Sequence, residues 1–177
     1  YTHQGDDTAD AKLVEDINNG AVDTVIFYNS NPALTAPKAL GFEAAMGKLT
    51  TRISFAGWMD ETASKCDFVC PDHYYLEAWN DHNPRKNHYN LQQPAIRPLF
   101  KTRHAQESLL TWAGNKTDWH TYIANYWKNN FLNRSRFGDF ATFWNKSVHD
   151  GVVVLATAVA PIVEDKKPAA VKPVTDT

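Results

Sequence analysis

Thr24-Val25-Ile26-Phe27-Tyr28-Asn29-Ser30-Asn31-Pro32 is the stretch whose reading decides the fold: an apolar run that stops abruptly in a polar loop. A second β-rich run, Thr51 to Ala56, passes through Gly57-Trp58-Met59 into Asp60-Glu61-Thr62-Ala63, and a third short run ends at Cys70-Pro71-Asp72. Strand, polar loop, helix, repeated to a third strand, is the order of a parallel sheet with crossover helices. Such sheets gather ligands at the loops beyond their strand C-termini. The loops at 29–33 and 56–62 are therefore the first candidates for a binding site.

Working outward, Val22 to Tyr28 is nearly all apolar, as expected of a strand covered on both faces. Upstream, Ala9 to Asn19 has the helical stripe Ala11, Val14 and Ile17, with Thr8 as the expected N-cap and Asn19-Gly20 as the stop. Between the first two strands, Pro37 suits the first turn of a helix that Gly47 closes. Asp60 to Lys65 reads as a short helix led by two acids.

Downstream, Asn80 to Asn87 reads as a turn-rich loop and Tyr89 to Ile96 as extended chain. Helices are expected from Thr102 to Trp112, about Asp118 to Phe131, and Phe140 to Val148, before the strand-like Val152 to Leu155. The fold class expected is α/β: a three-layer Rossmann-like parallel sheet flanked by helices, with an additional helical C-terminal portion. Residues 1–7 are expected to be frayed, 8–100 to form the α/β domain, 101–155 to pack on it as a helical extension, and 156–177 to be a flexible linker or truncated edge.

The 177 residues suffice for one good core. A formal charge of -2 implies no general attraction to nucleic acid or anionic membrane. The longest apolar run, Gly151 to Val163, is too short to span a bilayer and contains Pro161. The two cysteines, Cys66 and Cys70, read as unpaired thiols whose side chains diverge, and two cannot build a four-cysteine cluster. No Gly-x-Gly-x-x-Gly, Walker or Gly-x-Ser-x-Gly motif occurs. Asn29-Ser30-Asn31-Pro32 is either a plain strand-to-helix turn or a loop holding a phosphate or base edge. Asp60 and Glu61 are more simply helix-start acids than a catalytic pair, and His73, His82 and His88 with Asp72 and Asp81 match no compact metal-ligand spacing.

Taken in order, Val25-Ile26-Phe27-Tyr28-Asn29-Ser30-Asn31-Pro32, Met59-Asp60-Glu61-Thr62-Ala63, Asp67-Phe68-Val69-Cys70-Pro71 and Leu76-Glu77 resemble the second nucleotide-binding-type domain of the molybdopterin oxidoreductases. That family reads a strand then Gly-x-Asn-Pro, later Thr-Glu-Thr-Ala, Ala-Asp-x-Val-Leu-Pro and Leu-Glu. His88 to Phe100, with Thr102-Arg103, narrows the resemblance to the large molybdopterin oxidoreductase-like subunit of bacterial alternative complex III, of which this chain reads as an internal piece.

The resemblance implies that Asn29, Ser30, Asn31, Pro32, Asp60, Glu61 and Thr62 face one guanine dinucleotide half of a molybdopterin guanine dinucleotide, if that site is retained. In the alignment the family's loop Gly falls at Asn29, its guanine-accepting Asp falls at Ala56, and no Glu-Gly-Arg run follows near Glu77. The reading that results is a scaffold domain without its own cofactor or metal, itself non-catalytic. It would sit among other domains and subunits of a quinol-oxidising respiratory complex whose iron–sulfur clusters lie elsewhere, at the extracytoplasmic (periplasmic) face of the inner membrane. The alternative is a working dinucleotide-binding domain that uses Asn31, Asp60 and Thr62.

Overall fold

A computed structural model describes residues 5–155; the expectations for residues 1–4 and 156–177 fall outside it. The class is α/β, with two three-stranded sheets. The first is parallel, in the order β1 (Thr24–Phe27), β2 (Thr51–Ser54), β3 (Phe68–Val69). Its register pairs Phe27 with Ser54 and Ser54 with Val69, so the three strands end side by side. Three loops therefore leave the same edge.

Helix α1 (Asp7–Asn18) is capped by Asp6, whose carboxylate accepts from the Thr8 and Ala9 N–H groups, two residues ahead of the cap expected at Thr8. The crossover expected as one helix from Pro37 is broken into α2 (Pro32–Thr35), a single turn at Lys38–Leu40 and α3 (Phe42–Met46). Gly41 sits at φ 67 between the last two, a conformation that glycine adopts without a Cβ penalty and that ends a helical run. Val14 and Ile17 of α1 and Phe42, Ala45 and Met46 of α3 close on Phe27 and Leu49, forming one core on one face of the sheet.

Among the described residues, the other face is covered only toward the strand ends. There Trp112 stacks on Phe55 at 5.7 Å and Gln106 Nε2 donates to the Tyr28 hydroxyl at 2.9 Å, both from α4 (Ala105–Trp112). Farther down, register places Ile26, Ile53 and Phe68 in one row, and Ile26 and Phe68 are exposed. The full coverage expected from the apolar first strand is thus met on one face only.

The second sheet is antiparallel, in the order β4 (Asn80–Arg85), β5 (His88–Gln92), β6 (Val152–Val154). Asn80 to Asn87, expected as a loop, is therefore mostly an edge strand. Its Pro84 falls where the register slips between His82 and Arg85, a bulge that removes the need for the missing N–H. Asn87 turns the hairpin at φ 64. Helices α5 (Trp119–Asn130) and α6 (Phe140–Asp150), capped by Asp118 and Asp139, pack Ile123, Trp127, Phe131 and Phe143 against Leu91 and Leu155. Trp127 Nε1 donates to Asp81 Oδ2 at 2.7 Å and Trp119 Nε1 to the Trp79 carbonyl at 2.9 Å, so these indole donors enter the core already satisfied.

Candidate functional site

The loops that follow β1, β2 and β3 open onto one cleft of about 790 Å³, large enough for a nucleotide-sized ligand. Its wall is completed by the 73–78 segment, the outer part of β4, and residues 99–104.

Of the residues expected at a binding site, Asn29, Ser30, Asn31 and Asp60 line this cleft. Asn29 sits at φ 50, the left-handed region that glycine favours and that Asn tolerates better than most residues. Asn31 faces the second loop. Its Oδ1 accepts from the Thr62 N–H at 3.1 Å and the Thr62 hydroxyl at 2.7 Å, while its Nδ2 donates to Glu61 Oε2 at 2.7 Å. Thr62 is wholly buried, and its Oγ1 also accepts from the Ala33 N–H at 3.0 Å. Pro32 opens α2 behind the loop. The Asn31–Glu61–Thr62 triad therefore fastens the first loop to the second. The amide of Asn31 holds the Glu61 carboxyl below its ordinary range. Asp60 Oδ1 accepts from the Ala63 N–H at 2.7 Å, capping the single turn Ala63–Lys65 that stands where a longer helix was expected.

Ala56 also lines the cleft, at the end of the second strand; its N–H donates to the buried Ser54 hydroxyl at 3.1 Å. The third wall comes from residues that the sequence reading did not place at the binding site. Asp72 Oδ1 accepts from the N–H groups of His73 at 2.7 Å and Ala105 at 2.8 Å, so Asp72 starts α4 in place of Thr102. Thr102 instead pairs with His73 Nδ1 at 2.6 Å. Glu77 is nearly buried; its Oε1 accepts from the Leu99 N–H at 2.9 Å and its Oε2 from the Tyr74 N–H at 3.0 Å. Those two bonds, Leu99 foremost, hold its carboxyl low. His104 is 5% exposed with no partner at Nδ1 among the described residues, and burial pushes its pKa down so that the neutral ring is favoured. The one signal that pointed here is topological: a third parallel strand ending at Val69 requires a third loop at the same edge.

Among the described residues the cleft lining holds three carboxylates, Asp60, Asp72 and Glu77, and no Lys or Arg. Arg134, Arg136 and Lys146 instead line a separate hollow against β6. Among the described residues no group of three His, Cys, Asp or Glu side chains is placed to hold a metal ion. Both cysteines are free thiols; Cys66 Sγ donates to the Thr62 carbonyl at 3.3 Å, and burial pushes its pKa up. No described helix is long and apolar enough to cross a membrane.

No family model matches the chain. Over 94 residues it is 30% identical to the menaquinone reductase, molybdopterin-binding-like subunit, of Nitratidesulfovibrio vulgaris. The match supports a relation to the molybdopterin oxidoreductases. It spans 51% of this chain but only 14% of that subunit.

Proposed function

We propose that the chain is a scaffold domain of a molybdopterin oxidoreductase-like subunit, in a membrane-associated, quinol-oxidising assembly of the alternative complex III kind, and that it holds no cofactor of its own. The observation that carries this reading is the mutual bonding of Asn31, Glu61 and Thr62 beside Ala56. The groups that would face a guanine dinucleotide are tied to one another, and a methyl group stands where a guanine edge needs an acceptor. A buried guanine donor left unpaired costs ~1–3 kcal/mol. The pyrophosphate fits no better, because the described lining, with three carboxylates and no Lys or Arg, supplies repulsion without a side-chain counter-charge.

The likeness to a molybdopterin-binding-like subunit of a menaquinone reductase supports membership of a multi-subunit quinone-linked complex. Partner subunits and iron–sulfur clusters would come from the rest of that assembly, placed at the extracytoplasmic face of the inner membrane. A second reading, a working molybdopterin guanine dinucleotide domain, is favoured by Asn29, whose φ of 50 keeps the backbone shape that a loop glycine supplies.

Molybdenum and guanine-nucleotide analysis of the full-length protein, purified in its complex, separates the two. Trace molybdenum without released GMP is expected; stoichiometric molybdenum would overturn the scaffold reading.

A further inference from the structure

We propose that the cleft beyond the three parallel strands receives an arginine side chain presented by a partner polypeptide, gripped between the exposed ring of Trp58 and the carboxylates of Asp60 and Asp72. The proposal rests on the cofactor-free reading of the same cleft.

Charge is the first argument. The lining carries Asp60, Asp72 and Glu77 with no Lys or Arg among the described residues. Glu77 has both oxygens occupied by backbone N–H groups, but Asp60 and Asp72 each use only Oδ1. No hydrogen bond reaches either Oδ2 among the described residues, so two acceptors remain for a donor from outside.

Shape is the second. Trp58 is 76% exposed, Phe100 76%, Tyr74 60% and Tyr75 58%, and all four line the cleft. Exposed rings around a concave acidic site suit a planar cation, which stacks on the ring face while its N–H fork meets carboxylates. A guanidinium does both at once, whereas an ammonium has no flat face to stack.

The third observation is independent of the carboxylates. His104 lines the same cleft, is 5% exposed, and its Nδ1 has no partner among the described residues. Burial favours its neutral form, in which one ring nitrogen is an acceptor. A buried ring nitrogen without a partner is uncommon in a finished structure, and in the tautomer that leaves Nδ1 bare a guanidinium brings the N–H donors it lacks.

The test is calorimetric titration of the full chain with the peptide acetyl-Gly-Arg-Gly-Arg-Gly-amide and with its citrulline counterpart, which keeps the planar shape and loses the charge. Backbone amide shifts of Gly57 and Asp60 are followed by NMR. Saturable binding is expected, with shifts at these two residues. The citrulline peptide, and the Asp60→Asn and Trp58→Ala variants, should each bind about tenfold more weakly. Asn at position 60 retains an acceptor for the Ala63 N–H, so the fold survives that change.

Equal binding of the citrulline peptide, shifts confined to another surface, or no saturation up to millimolar peptide would overturn the proposal. Self-association lost in Asp60→Asn would place a second copy in the cleft and overturn the partner assignment. GDP in parallel separates the two readings. Binding of GDP refutes the scaffold reading together with this one, whereas failure of both ligands refutes only the arginine site.

Discussion

The two halves of this chain are held together by different means. In the parallel-sheet half the core is mainly aliphatic and one-sided, made of Val14, Ile17, Ala45, Met46 and Leu49 with Phe27 and Phe42. Its far face leaves Ile26 and Phe68 exposed, and its strand-end loops depend on the side-chain bonds around Thr62. In the antiparallel half the core is an aromatic cluster: Trp127 touches Phe131 at 5.3 Å, Phe143 at 6.0 Å and Trp144 at 6.0 Å. A ring-rich core stabilises through buried area and ring contacts. A one-sided sheet lacks that reserve and relies on polar loop contacts that a binding site would otherwise leave free. That contrast is why the loops of the first half read as architecture.

The largest effect should come from the second core. Trp127→Ala removes a fully buried ring and leaves Asp81 without its indole donor; a loss of roughly 3–5 kcal/mol is expected in urea unfolding. If the two cores unfold separately, amide exchange at Phe27 and Met46 stays slow in that variant. Fast exchange throughout would show one cooperative unit and erase the comparison.

Next in size is Asn31→Ala. It strips the acceptor from the buried Thr62 N–H and hydroxyl, at a cost of about 1–3 kcal/mol, and should speed exchange in both loops. Asn31→Asp keeps that acceptor but sets a carboxylate beside Glu61, so its loss should shrink as pH falls. Unchanged stability in Asn31→Ala would mean that the triad does not fasten the loops.

A smaller effect concerns pH. His104 has its folded pKa pushed below the unfolded value of about 6.5 by burial, with the nearby His73 acting the same way and Asp72 and Glu107 opposing. The unfolded chain then binds the proton more readily. This contribution is fully present above about pH 6.5 and is lost as pH falls toward the folded pKa. His104→Asn should flatten that part of the stability profile; an identical profile would contradict the assignment. Asp67, held low chiefly by the Arg52 guanidinium, loses its contribution only in more acid solution, below about pH 4. Asp67→Asn should lower stability at neutral pH, where that contribution is present, and flatten the profile below about pH 4, where the natural chain and the variant converge.

The first half was legible in sequence because its strands are apolar runs ending at polar loops, as at Phe27-Tyr28-Asn29 and Ser54-Phe55-Ala56. The helices of the second half were legible from aromatic residues at helical spacing between Trp119 and Trp127. β4 was not: Asn80, Asp81, His82, Asn83 and Pro84 are turn formers by local preference, and pairing with Leu91 and Gln92 overrides it. The burial of Thr62 was not legible either, because it depends on an amide 31 residues away. The wall formed by His73, Glu77 and His104 comes together only when residues 99–104 fold back over the third loop.

The most direct test of the account is GDP binding to the full chain, measured by calorimetry for the natural protein and for Ala56→Asp. A cleft closed to guanine predicts no saturation up to millimolar GDP for the natural chain. Micromolar, saturable binding that shifts the Asn29 and Gly57 amides without any change at Ala56 would contradict it.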